Sequence, residues 1–257
     1  NVLSNVFFLN GFSPYWINSI VPVGWSVTVE MTFYCLVPLL FLWITSVERA
    51  IWFFIISLLC SLGIDSILVA HPLIGQKRLW TEFLFQWLPN QLPVFALGIL
   101  LFFLIKKDSD APVGETKQNR ASLGMPLVFL SLCLMLGLVW GRYTYIPKHV
   151  IYGGAFVAFS YGLSLYPSRI FVNRFFCFVG TISYSIYLTH VACVRLTKMI
   201  LSSYVDWPFS LHFHFVLFII VSLSLTLAVS DLTYHIIEIL CQKMGSVIID
   251  RLCSRGV

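Results

Sequence analysis

Glu30 is the only charged residue in the first 47 positions, and it stands about six residues into a long apolar run. An acidic side chain inside a membrane span costs about 2–3 kcal/mol on insertion scales, so it calls for a polar partner or a task. On a helix Ser26 lies four residues before Glu30 and Tyr34 four after, so the three share a face, with Trp25 next to Ser26. Two roles fit: a structural carboxylate that hydrogen-bonds neighbouring helices, or a group that moves a proton in catalysis. A second cluster runs from Gly180 to His190. Ser183, Tyr187 and His190 are spaced 0, 4 and 7, one polar stripe on a helix, with Tyr184 among them. An intramembrane His with hydroxyl company points to function, and helix packing through small hydroxyl residues gives the same pattern. A third cluster is Ser230 to Glu238. Asp231 and His235 are four apart; Asp231 and Glu238, seven apart, are expected on one face at the end of the last span. Solvated boundary residues would have this pattern too.

Other chemistries lack their residues. The chain has no HExxH, no GxxxxGK[ST], no GxSxG and no Cys/His zinc spacing. The expectation is therefore no metal site and no bound cofactor. None of the seven Cys falls in a CxxC pair, and five lie inside apolar runs, as small core- or lipid-facing residues do.

The elements that must position these clusters follow from composition. Of 257 residues, 59% are hydrophobic and 11% charged, against about 25% charged in soluble domains. Mean hydropathy is +0.89. A soluble globular domain and a disordered chain are both excluded. The net charge of +5 is not gathered into a basic stripe, so no nucleic-acid partner is expected. Apolar windows span residues 24–47, 50–70, 83–105, 123–141, 150–168, 175–194 and 211–230. Each can cross a hydrocarbon core of about 30 Å as a helix. They are apolar on every face, which excludes a barrel's alternation. The predicted fold is an all-α polytopic transmembrane bundle of about seven spans. Residues 2–9 read as a helix end or interfacial piece, and 11–23 as a loop near the membrane. The alternate loops carry ten basic residues on one side and six on the other. The richer side, with residues 106–122 and the C-terminus, is expected in the cytoplasm. The domain reading is a transmembrane domain over 1–242 and a cytoplasmic tail over 243–257.

Four stretches, in this order, resemble the acyltransferase-3 family of multi-span membrane enzymes. Trp25-Ser26 through Glu30, with Phe33-Tyr34 and Pro38, looks like its W-S-x-x-x-E, F-Y, P element. Leu92-Pro93-Val94-Phe95-Ala96-Leu97-Gly98 looks like its R-x-P-x-F-x-x-G helix, with Gln91 near the usual basic position. Gly180 to His190 matches its G-x-x-S-Y-S-x-Y-L-x-H helix. Ser230 to Glu238 looks like its closing S-x-x-x-Y-x-x-I-E element, with Leu240 in the region of a customary Pro.

The resemblance implies transfer of an acetyl or other short acyl group from acyl-CoA to a hydroxyl of a sugar, surface polysaccharide or lipid-linked acceptor. It implies a His general base and a multi-pass protein of the cell membrane, the bacterial cytoplasmic membrane foremost. Glu30 and His190 become the expected catalytic residues. Trp25, Ser26, Tyr34, Ser183, Tyr184, Tyr187 and Glu238 would bind substrate or line its route. Lys106, Lys107, Arg169 and Arg174 lie on the side from which anionic CoA would approach. The family's Arg or Lys followed about ten residues later by a His has no counterpart here, so the chain reads as a C-terminal fragment expected to be inert alone. The rival reading is a proton-coupled transporter or flippase using Glu30 and His190, with Pro89 and Pro93 breaking a helix at its substrate site. No internal repeat supports it. A catalytically dead membrane scaffold is the third reading.

Overall fold

The computed structural model describes residues 2–18, 24–110, 115–141, 146–202 and 211–254. The end of the 11–23 loop, the middle of the 106–122 stretch and the end of the 243–257 tail lie outside the described residues. Among the described residues there is no strand. The helices are α1 (Val2–Val6), α2 (Gly24–Trp43), α3 (Val47–Ala70), α4 (Lys77–Gln86), α5 (Leu88–Ser109), α6 (Glu115–Trp140), α7 (Lys148–Leu165), α8 (Arg174–Thr181), α9 (Ser183–Ser202), α10 (Leu211–Thr233) and α11 (Ile239–Ser254). A π-helical turn, Tyr234–Glu238, joins α10 to α11.

The all-α bundle follows from lipid, which forces every backbone group to find its partner within the segment. Among the described residues five stretches are long and apolar enough to cross a membrane: 24–43, 47–70, 77–109, 122–140 and 212–247. The bent pair α8–α9 makes six if it counts as one span. The remaining sequence window forms α7, which opens on Lys148-His149 and carries Tyr152, Ser160 and Tyr161. That polarity lowers its hydropathy, and it packs against α5 and α6.

Two windows break where the apolar pattern runs on. At Trp87 the backbone is extended (φ −82°, ψ 160°), and α5 starts with Pro89 in its first turn, where the missing N–H is not needed. Pro93 is buried inside α5. At Ile182 the chain bends by 74° between α8 and α9. Gly180 and Thr181 are weak helix formers, and Ile182 is buried at the corner. The last window instead runs on past Ser230 into α11.

The chain divides into two compact units, residues 1–171 and 172–257. In the first, α3 lies along α5, α5 against α7, and α7 along α6. Phe33, Ile44, Ala50, Ile99 and Phe103 form its core, with Phe33 stacked on Phe95 at 4.1 Å between ring centroids. Ser46 caps α3 by accepting from the Arg49 backbone N–H at 3.3 Å. Arg49 Nη1 donates to the Trp43 carbonyl at 2.9 Å, closing the end of α2.

Glycine sets the approach of α6 to α7. A Cβ on Gly162 would stand 2.8 Å from the Gly124 carbonyl oxygen and 3.1 Å from Leu127 Cβ. The first of those neighbours is backbone and cannot swing aside. We expect Gly162→Ala to destabilise the first unit by about 1–3 kcal/mol, the usual cost of overpacking, seen as a lower thermal midpoint in detergent. Gly63→Ala, with open space around it, should leave the midpoint in place.

In the second unit Asn173 Oδ1 caps α8 by accepting from the Phe176 N–H at 3.1 Å, and α9 packs along α10.

Candidate active site

α2 places Glu30 as its sequence predicts. The Tyr34 hydroxyl, one turn on, donates to the Glu30 carboxylate. The residues that α2 buries are Val27, Thr28, Val29 and Phe33, of which Val27 and Phe33 flank Glu30 three residues away. Glu30 is half-buried and Tyr34 exposed on the described first unit. The carboxylate–phenol pair therefore borders the packed core without being enclosed in it. Ser26 and Trp25 are half-buried near the same end of α2, and Trp25 leans on Phe85 at 6.3 Å between centroids. Thr28 and Thr32 line a cavity of about 300 Å³ floored by Phe83, Trp87 and Pro89.

At the opposite end of α3 and α5 a second cavity, of about 390 Å³, is lined by Thr45, Ser46, Glu48, Lys106, Lys107 and Asp110, among others. Its two lysines sit in the last turn of α5, where cations complement the helix dipole.

In the second unit Ser183, Tyr187 and His190 do lie on α9, beyond the Ile182 bend. His190 Nδ1 is 2.6 Å from the Tyr187 carbonyl. A carbonyl only accepts, so Nδ1 carries the proton and Nε2 of the neutral ring is the basic nitrogen. Ser183 and Tyr184 are exposed, and Tyr187 and His190 half-buried.

The buried face of α9 is a different one. Ile182, Ser185, Cys193 and Thr197 are buried, and opposite them α10 buries Ser222, Thr226 and Ser230. Thr189 Oγ1 and Ser230 Oγ share a hydrogen bond at 2.8 Å, and Ser185 Oγ donates to Glu238 Oε2 at 2.9 Å. These small hydroxyl residues let the helices approach closely and bond across the seam. Ser185, Thr189 and Ser230 are the positions to which sequence reasoning gave no role. The available signal was the four-residue spacing of Ser185, Thr189, Cys193 and Thr197.

The π-turn is what brings Glu238 to this seam. An α-helix turns about 100° per residue, so eight steps from Ser230 would leave Glu238 about 80° away. The turn contains one surplus residue, closed by the Ile239 N–H bonding the Tyr234 carbonyl five residues back. Only about seven helical steps are then effective, and Glu238 returns to within about 20° of the Ser230 face. Its side chain leans toward the helix N-terminus and meets Ser185. The same surplus corrects the expectation that Asp231 and Glu238 share a face. Asp231 pairs instead with His235, 3.4 Å away on an exposed surface.

These features define a polytopic membrane protein with carboxylate, phenol, hydroxyl and imidazole groups built into its helices. A model of the acyltransferase-3 family, described as an acyltransferase domain, matches residues 2–235. The chain belongs to this family and is a membrane acyltransferase. No curated protein and no solved structure matches it.

Proposed function

We propose that the protein transfers an acetyl or other short acyl group from acyl-CoA to a hydroxyl of a sugar, surface polysaccharide or lipid-linked acceptor. The observation that carries this reading is the contact of His190 Nδ1 with the Tyr187 carbonyl. The Nδ1 proton is tied there, which leaves Nε2 free to act as a base. In the reaction the acceptor oxygen attacks the thioester carbonyl; the C–O bond forms and the C–S bond breaks. His190 Nε2 takes the hydroxyl proton and returns it to the departing thiolate. Glu30, with Tyr34 on its carboxylate, is the second proton-handling group. Trp25, Ser26, Ser183, Tyr184, Tyr187 and Glu238 bind substrate or line its route. The cavity at Lys106 and Lys107 suits the phosphates of CoA. That end faces the cytoplasm, as does the tail over 243–257, in the bacterial cytoplasmic membrane.

The test is acyl-CoA turnover in membranes containing the full-length protein, with cell-surface glycan as acceptor. We expect His190→Gln to lose activity by about 10²-fold or more at unchanged membrane yield. Turnover equal to wild type would remove His190 from the chemistry. A wild-type protein that moves the glycan across vesicles without consuming acyl-CoA would favour the transporter reading.

A further inference from the structure

Asp65 and His149 are two half-buried ionisable groups of the first unit that the reading above does not use. They come together at the end of α3 and the starts of α5 and α7. Asn90 is the hub of the cluster and is buried. Its Oδ1 accepts from Ser61 Oγ at 3.1 Å, and its Nδ2 donates to the Phe85 carbonyl at 3.2 Å. Its own backbone carbonyl lies 3.0 Å from His149 Nε2. Ser61 and Asp65 are one turn apart on α3 and therefore face the same way. The Asp65 carboxylate is within electrostatic reach of the imidazole.

The hydrogen-bond inventory of this cluster is one-sided. The Asn90 carbonyl can only accept, so His149 Nε2 carries the proton; with the ring neutral, Nδ1 presents a lone pair. Asp65 is an acceptor when ionised. Among the described residues neither the Asp65 carboxylate nor His149 Nδ1 has a hydrogen-bond donor. Two half-buried acceptors at one helix end thus await donors from elsewhere. An aromatic wall stands beside them: Phe85 meets the His149 ring edge-on at 5.4 Å and also contacts Trp25. Acceptors beside an aromatic face suit a sugar, which has hydroxyl donors on its rim and an apolar C–H face.

Position supports the same occupant. Glu48 lines the lysine cavity at the other end of α3. Seventeen residues separate it from Asp65, about 26 Å at 1.5 Å per residue. α2 runs alongside α5, with Phe33 on Phe95 and Phe41 on Phe103, and Trp25 reaches Phe85 just before α5, so Trp25 and Glu30 belong to the Asp65 end. The cavity at Lys106 and Lys107 and the Asp65 cluster therefore occupy opposite ends of the same helices.

We propose that Asp65, His149 and the Phe85 ring form a binding subsite for the hydroxyl groups of a sugar acceptor. The proposal rests on the acyltransferase reading for the word acceptor, and its first test does not use activity. The full-length protein in detergent micelles without sugar headgroups is treated with diethyl pyrocarbonate, and carbethoxylation of His149 is read by peptide mass spectrometry. Methyl glucoside should slow His149 labelling several-fold. Its permethylated analogue, with the same ring and no hydroxyl donor, should not. Asp65→Asn should remove the protection while His149 remains reactive. Equal protection by both sugars, or by neither, overturns the proposal. Protection that persists in Asp65→Asn overturns the role of the carboxylate. The second test is kinetic: Asp65→Asn should raise KM for the glycan acceptor about tenfold, with a much smaller change in kcat. A fall in kcat with unchanged KM would overturn the subsite. If the wild type turns over no acyl-CoA but methyl glucoside still protects His149, the acyltransferase chemistry fails and the sugar site stands.

Discussion

Glu30→Gln is expected to lower acyl transfer by about 10²-fold or more, the scale of a lost proton-transferring group, with little change in the amount of folded protein. Gln keeps the size of Glu and an oxygen that accepts from the Tyr34 hydroxyl, so the contact within α2 survives. What disappears is the charge and the capacity to hold a proton. The buried side of α2 rests on Val27, Thr28, Val29 and Phe33, which the substitution does not touch, and this is why yield should hold. Tyr34→Phe removes the donor and keeps the carboxylate, so it should cost less than Glu30→Gln. The measurement is turnover of acyl-CoA against glycan in membranes, alongside immunoblot yield and thermal midpoint in detergent. Wild-type turnover by Glu30→Gln would make Glu30 a packing residue. Joint loss of yield and turnover would mean that its charge holds the fold.

How much of this was legible in the sequence depends on the range of each interaction. The helices and their apolar lengths come from local composition, and the Glu30–Tyr34 contact is one turn long, so both could be read directly. The Ile182 and Trp87 breaks were harder, because apolar residues continue through them. On α9, hydroxyl residues occur at helical spacing on two faces: Ser183 with Tyr187 on one, Ser185 with Thr189 on the other. Periodicity cannot choose which of them packs. The partners Ser230 and Glu238 make that choice, 41 and 53 residues away. The cluster of Ser61, Asp65, Asn90 and His149 is joined by bonds between positions 29 and 59 residues apart, and no spacing rule links three helices. Its members looked unremarkable one by one: a lone acid in a span, an amide between two prolines, a His after a Lys.

The π-turn gives the largest structural effect that can be tested with a single residue. Removing a residue from a membrane helix ordinarily rotates everything beyond it by about 100°. Deleting Ile236 should not do so. It takes out the surplus position of the π-turn, leaves seven ordinary helical steps between Ser230 and the Glu238 carboxylate, and keeps that group near the Ser230 face. Ile236 itself is exposed, so little packing goes with it. Deleting Ala228 instead, two residues before Ser230 and also exposed, leaves the π-turn in place and turns Ser230 and Glu238 together away from Ser185 and Thr189. The buried hydroxyls of Ser185 and Ser230 would then lose their partners at about 1–3 kcal/mol each, and the close approach of α9 to α10 would be lost with them. We expect near-normal yield and thermal midpoint for the Ile236 deletion and loss of folded protein for the Ala228 deletion. Glu238→Leu should fall between them, since it orphans only Ser185, while Glu238→Gln should retain the bond and the stability. If the Ile236 deletion is as damaging as the Ala228 deletion, the extra residue is not what aligns Glu238 with the seam, and the bond to Ser185 must be held by some other feature of α11.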